Sequence, residues 1–305
     1  MVELTHTSQF NEAGILTDVD RFIRKILNNK LTFSEVQEQL KTLYPSLMSV
    51  YRQEQIYTET INAFIVSTQE AVGQLHVNEI EWNDRQVSEF CICLNSSIAS
   101  INVEDSLFDN QEKRNRDSVY KYVSELTSHY QRLLVIRVDL CYQIDYKGVV
   151  DIKRFNADMN KFRDLISNKK SCFKHLKGYI WALEQGEGYH CHFILFYDGS
   201  RRQNDYGVAK KIGDKWIAVT EGRGYCFNCN TPQYKKKYIY TNTLGIGMIY
   251  RDQPTQVRNT INTALYLASA KKIGQRLKVK LPNMRSFGHG VYRTSKRRGL
   301  PPITN

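Results

Sequence analysis

Two apolar segments joined by a glycine-rich turn constrain the fold more than any other feature of this sequence. Residues 178–184 and 190–197 are rich in aromatic and β-branched side chains, and Gly186-Glu187-Gly188 lies between them. Runs of this length on either side of such a turn predict the two strands of a β-hairpin. The hairpin is therefore the expected centre of an antiparallel sheet.

The segments around this hairpin alternate between strand and helix patterns. Their periodicity predicts a strand at 133–142, a helix at 151–168, a helix at 210–216, a strand at 244–250 and a helix at 254–272. In this order the elements predict an α+β fold, an antiparallel sheet with helices packed on one face, as in ferredoxin-like and RRM-like domains.

The first part of the chain has the periodicity of helices. Residues 1–112 contain almost no glycine or proline, and helices are predicted at 57–75 and 82–101. The charged stretch 110–117 predicts a boundary between domains. We therefore expect an all-α domain at 1–118 and a second domain at 119–305.

Charge is distributed unevenly between these two parts. The full chain carries 43 Lys+Arg and 31 Asp+Glu, a net charge of +12. Residues 1–118 carry 10 basic and 18 acidic residues, a net charge of −8, whereas residues 119–305 carry 33 and 13, a net charge of +20. A strongly basic domain favours nucleic acid as a partner, although a soluble basic enzyme can have the same composition.

Other features of the composition concern the cellular compartment. The sequence has no run of about 18 apolar residues, and its N-terminus lacks the charged-then-apolar pattern of a secretory signal. Its seven cysteines lack framework spacing, which predicts thiols rather than disulfides. We therefore expect a cytoplasmic protein without a membrane partner.

His190 and His192 are two residues apart in the second strand of the hairpin. Side chains at positions i and i+2 of a strand point to the same face, so both imidazoles can bind one divalent ion. Cys191 points to the opposite face and is expected in the core. Two surface histidines held only by hydrogen bonds would give the same pattern.

Glu184 favours the metal interpretation of this pair. It ends the first strand of the hairpin, and the short turn can bring its carboxylate beside the histidines. Two imidazoles and one carboxylate leave coordination positions open, where a metal can polarise a phosphate oxygen. Asp139 is a competing carboxylate, which could instead pair with Arg137 or structure the site.

A tyrosine is the candidate nucleophile for phosphodiester chemistry. Tyr266 lies in the 254–272 helix on an edge that can face a polar cleft. A phenol titrates at about pH 10 and needs a cation or a metal-polarised phosphate, and Lys271 and Lys272 follow closely in sequence. Any single tyrosine of the 19 in this chain is more often simply packed.

Basic and aromatic residues alternate near the C-terminus. The pattern suits single-stranded DNA because cations follow phosphates and rings stack on bases, although a solvated basic tail looks the same. With Arg137, the candidate DNA-binding residues are Lys278, Lys280, Arg285, Arg293, Lys296, Arg297 and Arg298, interleaved with Phe287 and Tyr292. Cys226 and Cys229 form a C-x-x-C, but no second pair follows at zinc-finger spacing.

Several of these segments together resemble a known family. The segment WALEQGEGYHCHFILFYDGS resembles the second motif of the HUH endonuclease superfamily, in which two histidines flank an apolar residue. LLVIRVDLCY and YLASAKK resemble its first and third motifs. With FNCN, LGIGMIYRD and RSFGHG, residues 119–305 resemble the inovirus-type replication proteins, also called the YagK/YfjJ C-terminal domain.

The resemblance implies a metal-dependent, DNA-nicking replication initiator of a phage or another mobile element. His190, His192 and Glu184 would hold Mg or Mn. Tyr266 would attack the scissile phosphate and form a 5′-phosphotyrosine, which frees a 3′-OH for a polymerase. The implied partners are single-stranded or hairpin origin DNA and a host helicase or polymerase.

One departure from the family pattern leaves an alternative open. The third motif usually has a lysine three residues after the tyrosine, and here Ser269 occupies that position. Lys271 and Lys272 lie about 140° and 120° away from Tyr266 around an ideal helix. The alternative is a cleavage-deficient protein of the same fold that binds DNA and recruits replication or regulatory partners.

Overall fold

The N-terminal part of the molecule is a group of helices. The structure, a computed structural model, describes residues 11–73, 75, 80–268 and 274–292. Its first five helices are α1 (Glu12–Leu27), α2 (Phe33–Val50), α3 (Glu59–Val72), α4 (Asp84–Ser96) and α5 (Ile98–His129). Apolar residues at helical spacing are buried between them, for example Leu16 and Phe22 of α1 with Phe64 of α3. The helix expected at 57–75 is confirmed as α3, whereas the helix expected at 82–101 is divided at Ser97 into α4 and the start of α5.

Local sequence signals account for where two of these helices begin. At the start of α2, the Thr32 hydroxyl accepts a hydrogen bond from Glu35 N, and the Glu35 carboxylate accepts one from Thr32 N at 2.7 Å. Asn83 and Gln86 form the same reciprocal pair at the start of α4. These capping boxes satisfy amide donors that have no partner within the helix.

The longest helix joins the two parts of the chain. Helix α5 continues without interruption through the predicted boundary at 110–117, so this stretch is not a loop. That stretch lacks glycine and proline, and its charged side chains can face solvent while the helix continues. Ile101 is buried in the core of the N-terminal helices, whereas Val119 is buried against the sheet. The division into two domains stays a prediction.

An antiparallel sheet of six strands follows α5. Its strands are β2 (Arg132–Tyr142), β3 (Leu176–Gln185), β4 (Tyr189–Asp198), β5 (Gly224–Asn228), β6 (Gly247–Tyr250) and β8 (Phe287–His289). The order is β5-β2-β4-β3-β8, and β6 pairs with the first residues of β2 on the side where β5 pairs with its last residues. Direct pairing of Glu184 with His190 confirms the predicted hairpin. Two further short strands, β1 (Ile56–Tyr57) and β7 (Val279–Lys280), pair with each other.

Helices cover both faces of this sheet. They are α5 and, after β2, α6 (Ile152–Ser167), α7 (Asp205–Val219), α8 (Pro232–Tyr240) and α9 (Pro254–Leu267). Helices α6 and α7 share a core with Leu140 and Phe193, whereas α5 and α9 share one with Leu133 and Ile194 on the opposite face. The expectation of helices on one face only is therefore wrong, because both faces of β2 and β4 are largely apolar. The mixture of helices with an antiparallel sheet confirms the α+β class.

The first helix holds the turn of the β3–β4 hairpin. The side-chain amide of Asn11 donates to Glu187 O at 2.6 Å, and the Thr17 hydroxyl donates to Gly186 O at 3.1 Å. These bonds connect the N-terminal helices directly to the hairpin that carries the candidate site. Within the described parts of the chain, we find no helix with the length and apolar character needed to cross a membrane.

A buried carboxylate makes a second connection between α1 and the hairpin. Glu12 is 5% exposed and accepts hydrogen bonds from Tyr189 Oη and Ile152 N, both at 2.7 Å. Burial raises the pKa of Glu12, and these hydrogen bonds offset only part of that effect. Glu12 thus joins α1 to the start of β4 and to the start of α6.

Candidate metal centre

Both candidate histidines lie on one face of β4. His190 and His192 point to the sheet face that also carries α5 and α9, and their ring centroids are 5.1 Å apart. Cys191 points the other way and is fully buried with the side chains of α6 and α7. The structure thus places these three residues as the alternation of a strand predicts.

The carboxylate of Glu184 lies close to both rings. Its Oε2 is 3.5 Å from His190 Nε2 and 3.1 Å from His192 Nε2. The three residues can each offer a ligand atom within 4.8 Å of the other two. Side chains that bind one ion at about 2.0–2.2 Å lie about 3–3.5 Å from one another, so this spacing suits a shared divalent metal.

Asp139 lies against the other ring nitrogen of His192. It lies on β2 directly opposite His192, and its Oδ1 is 2.6 Å from His192 Nδ1. The Nε of Arg137 is 3.5 Å from the same oxygen. A carboxylate at the far nitrogen of a metal-binding imidazole fixes the orientation of the ring and increases its basicity. Asp139 therefore fits the role of orienting His192, while Glu184 fits that of the third ligand.

The electrostatic environment of this cluster suits a cation. Burial lowers the pKa of His192, but the contacts with Asp139 and Glu184 outweigh burial, and the net shift is upward. Burial raises the pKa of Asp139, but His192 and Arg137 outweigh it, and the net shift is downward. A divalent cation would occupy the same negative environment that favours a proton on His192.

Tyr266 lies on α9 above the same face of the sheet. It is 51% exposed, and the guanidinium carbon of Arg137 is 5.7 Å from the centre of its ring. Because Arg137 also contacts Asp139, a row of side chains connects Tyr266 to His192. The described residues do not include three positions of the third motif: Ser269, Lys271 and Lys272.

A cleft of about 490 Å³ opens beside Tyr266. Its lining includes Arg137 and Tyr266 together with Tyr234, Lys237 and Tyr238 of α8. Among the described residues that line this cleft there are two cations and no carboxylate. The cleft therefore favours a ligand with negative charge.

The candidate DNA-binding residues have different environments. Lys278 is 2% exposed, and its Nζ donates to Arg276 O at 2.7 Å and lies 3.9 Å from Asp20 Oδ2. Burial lowers the pKa of Lys278 to about 8, although the carboxylate of Asp20 opposes this shift. Contrary to the prediction, Lys278 is not on the surface, because the N-terminal helices enclose it.

The other basic candidates are more accessible or are not described. Lys280 is half-buried, with its Nζ 5.3 Å from the ring centre of Phe108, and Arg285 is exposed. Arg137 is only 9% exposed but lines the cleft beside Tyr266. Four candidates lie outside the described residues: Arg293, Lys296, Arg297 and Arg298.

Among the residues with described positions, no cluster of possible metal ligands includes the C-x-x-C cysteines. Neither Cys226 nor Cys229 belongs to a cluster of three possible metal ligands among the residues that the structure describes. The Sγ of Cys229 instead donates to Asp139 Oδ2 at 3.8 Å. All seven cysteines are free thiols, as the sequence predicts.

One part of the site was not predicted from the sequence, and the role of Asp139 was left open there. Helix α8 contributes Tyr234, Lys237 and Tyr238 to the cleft, and the lysine–tyrosine alternation of YKKKYIY was the available signal. The position of Asp139 opposite His192 depends on the pairing of β2 with β4, for which no local signal exists.

Comparison with known proteins identifies a family for most of this chain. The family model of the YagK/YfjJ C-terminal domain matches residues 100–290, which include Glu184, His190, His192 and Tyr266. No curated protein and no solved structure gives a significant match to the chain. Because the match covers more than half of the sequence, the protein belongs to the YagK/YfjJ C-terminal domain family.

Proposed function

We propose that this protein is a replication initiator that nicks one strand of origin DNA with a divalent metal and a tyrosine nucleophile. The observation that carries the proposal is the convergence of His190 Nε2 and His192 Nε2 on one oxygen of Glu184. These three side chains would hold Mg²⁺ or Mn²⁺ and leave coordination positions open. When bound, the ion would polarise an oxygen of the scissile phosphate.

The side chains around the proposed metal have separate roles. Tyr266 Oη attacks the phosphorus and releases its proton to solvent, while the bond between phosphorus and the 3′ oxygen breaks. The products are a 5′-phosphotyrosine and, after the 3′ oxygen takes a proton from water, a free 3′-OH. Arg137 supplies positive charge beside the attacked phosphate, and Asp139 orients His192.

The arrangement of the sheet supports this proposal. The units β2–α6–β3 and β4–α7–β5 form a sheet in the order β5-β2-β4-β3, with α6 and α7 on one face. This order is the one expected of a ferredoxin-like domain, which supports the proposed fold. We propose that residues 119–305 form an HUH-type domain of this kind, in which the face opposite α6 and α7 carries the catalytic residues.

The charge of the chain supports a nucleic-acid partner. Residues 119–305 carry a net charge of +20, and the cleft beside Tyr266 has two cations in its lining. Such a surface favours the phosphate backbone of DNA. The proposed partners are single-stranded or hairpin origin DNA, with a host helicase or polymerase acting at the freed 3′-OH.

Covalent capture of DNA tests the nucleophile. The protein is incubated with Mn²⁺ and 3′-labelled single-stranded oligonucleotides that tile the DNA flanking its gene, and the products are separated on a denaturing gel. We expect a labelled protein adduct with the wild type and with Tyr240→Phe, a tyrosine that is 92% exposed on α8, but none with Tyr266→Phe. An adduct in Tyr266→Phe would contradict the role of Tyr266, and the absence of any adduct would contradict nicking.

Replacement of the histidines tests the metal site. We expect His190→Ala with His192→Ala to abolish cleavage and calorimetric Mn²⁺ binding while the circular dichroism spectrum is unchanged. His175→Asn is the control, because asparagine tolerates the positive φ of 72° at that position. Cleavage at the wild-type rate in the double variant would rule out the metal site.

A second candidate function is DNA binding without cleavage. Ser269 favours it, because the related motif usually has a lysine at that position. This candidate predicts tight binding of hairpin DNA in EDTA, no covalent adduct in Mn²⁺, and recruitment of replication or regulatory partners. The capture assay therefore separates it from the first proposal.

A further inference from the structure

A row of exposed aromatic rings begins on the edge strand next to β2. Tyr225 and Phe227 of β5 pair directly with Cys141 and Asp139. Residues directly opposite each other in an antiparallel pair share a face, so both rings lie on the face of the His–Glu cluster. Tyr225 is 51% exposed and Phe227 is 41% exposed.

Helix α8 continues this row toward Tyr266. The ring centroids of Phe227 and Tyr234 are 5.6 Å apart, and those of Tyr234 and Tyr238 are 5.3 Å apart. The Nζ of Lys237 is 4.7 Å and 4.8 Å from the centres of the two tyrosine rings. We call these four residues, Phe227, Tyr234, Lys237 and Tyr238, the aromatic wall.

Packing accounts for only part of the aromatic wall, because Tyr234 packs, partly buried, against the core that α5 and α9 share with the sheet. The structure describes all of α8, and none of its residues is buried, although aromatic side chains usually contribute to a core. The helix is nevertheless held firmly: Lys235 Nζ donates to Asp205 Oδ2 at 2.7 Å, and Thr231 caps the N-terminus. Its rings are therefore presented on a fixed support.

Three members of the wall line the same cleft as the proposed nucleophile. Tyr234, Lys237 and Tyr238 share the cleft of about 490 Å³ with Arg137 and Tyr266. This volume lies within the range of about 300–1,000 Å³ that is usual for small-molecule sites. Rings combined with cations recognise single-stranded nucleic acid, because an unpaired base exposes its faces for stacking and its phosphates attract the cations.

We propose that the aromatic wall is a subsite for one unpaired nucleotide of single-stranded DNA, adjacent to the nucleotide that Tyr266 attacks. The inference rests on the proposed nicking function for its choice of DNA. Tyr234 and Tyr238 stack on the base, and Lys237 and Arg137 contact the flanking phosphates. The base pairs of a duplex hide these stacking faces, so the subsite selects unpaired DNA.

Binding measured in EDTA tests the subsite separately from cleavage. The probes are a fluorescein-labelled oligothymidine and the same strand paired with oligoadenine, and the readout is fluorescence anisotropy. We expect Tyr238→Ala to weaken single-strand binding by about 5- to 100-fold, whereas Tyr238→Phe keeps the ring and the affinity. Tyr120→Ala removes a tyrosine on α5 that is 57% exposed, and it should bind as the wild type does.

A lysine variant gives an independent measurement. Affinity for single-stranded DNA falls as salt rises, and Lys237→Gln should make this dependence weaker. The magnitude of the slope of log affinity against log salt should decrease by about one. Unchanged single-strand affinity in Tyr238→Ala together with an unchanged salt slope in Lys237→Gln would overturn the subsite. An equal loss of single-strand and duplex binding in Tyr238→Ala would overturn it as well.

The two proposals fail in different ways. Weaker single-strand binding by Tyr238→Ala, without a covalent adduct in the wild type, keeps the subsite and rejects nicking. An adduct that depends on Tyr266, with normal single-strand binding by Tyr238→Ala, keeps nicking and rejects the subsite.

Discussion

Both ring nitrogens of His192 face carboxylates. Asp139 Oδ1 lies 2.6 Å from Nδ1, and Glu184 Oε2 lies 3.1 Å from Nε2. An imidazole binds one metal through one nitrogen, so its other nitrogen needs a different partner. Glu184 also contacts His190, whereas Asp139 lies against Arg137. These contacts separate the proposed ligand from the residue that orients His192.

This separation predicts the effect of a single substitution. Asp139→Asn removes the charge behind His192, so Mn²⁺ affinity measured by titration calorimetry should fall by about 10- to 100-fold. Glu184→Gln removes a proposed ligand and should lower the affinity further. Asp18→Asn, on the exposed side of α1, is the matched control. Equal Mn²⁺ affinity for Asp139→Asn and the wild type would contradict the orienting role.

The sequence could predict only part of this arrangement. Glu184, His190 and His192 belong to one hairpin, so the short turn and the strand alternation are enough to bring them together. Asp139 reaches His192 through pairing with a strand distant in sequence, which local patterns do not encode. Lys278 looked like a surface cation because its burial depends on how α1 packs against residues 274–280.

At the scale of secondary-structure elements, the buried side chain of Glu12 connects α1 to β4 and α6. Because burial raises the pKa of Glu12 in the folded protein, the folded state binds its proton more tightly than the unfolded state. Glu12 therefore adds to the free energy of unfolding at low pH. This stabilisation is lost as the pH rises above 4.5, the ordinary pKa of a glutamate side chain.

The variant Glu12→Gln isolates this contribution. We expect the unfolding free energy of the wild type, relative to that of Glu12→Gln, to decrease as pH rises from about 4.5 and then to level off. Urea unfolding across a pH series measures both proteins under identical conditions. A relative stability of the wild type that increases with pH would show that the folded protein favours the charged carboxylate instead.

The segment before β6 packs closely against α9. A methyl group at Gly245 would overlap the carbonyl oxygen of Asn259 and the hydroxyl of Thr263. We expect Gly245→Ala to reduce the unfolding free energy by about 1–3 kcal/mol and to slow adduct formation, because α9 carries Tyr266. Gly186→Ala, where an added methyl has open space, should preserve both quantities. A stable and fully active Gly245→Ala would show that α9 tolerates displacement.

Elements differ in how well the sequence predicts them. Periodic apolar residues were sufficient to predict four elements that have buried faces: β2, β3, β4 and α6. Helix α8 lacks a buried face, so it offers no apolar stripe to detect. The charged stretch 110–117 suits a solvated helix as well as a loop, and only the structure distinguishes the two.

At the scale of the whole molecule, the two parts of the chain share a core. One continuous cluster contains Leu16 of α1 and Phe64 of α3 together with Phe162 of α6 and Phe193 of β4. Ion pairs add to this contact: Asp105 of α5 lies 2.8 Å from Arg24 and 3.4 Å from Arg276. The difference in net charge between the parts, from which a nucleic-acid partner was predicted, also favours their attraction.

A shared core predicts that the two parts unfold together. Leu16 is fully buried in α1, so Leu16→Ala should reduce the unfolding free energy by about 2–5 kcal/mol. In native-state hydrogen exchange followed by mass spectrometry over a urea series, amides of α1 and of the β3–β4 hairpin should lose protection at the same lowered urea concentration. Leu107→Ala on α5, at a site that is 62% exposed, should leave that concentration unchanged. Wild-type protection of the hairpin in Leu16→Ala, with α1 already open, would instead establish residues 1–118 as an independent folding unit.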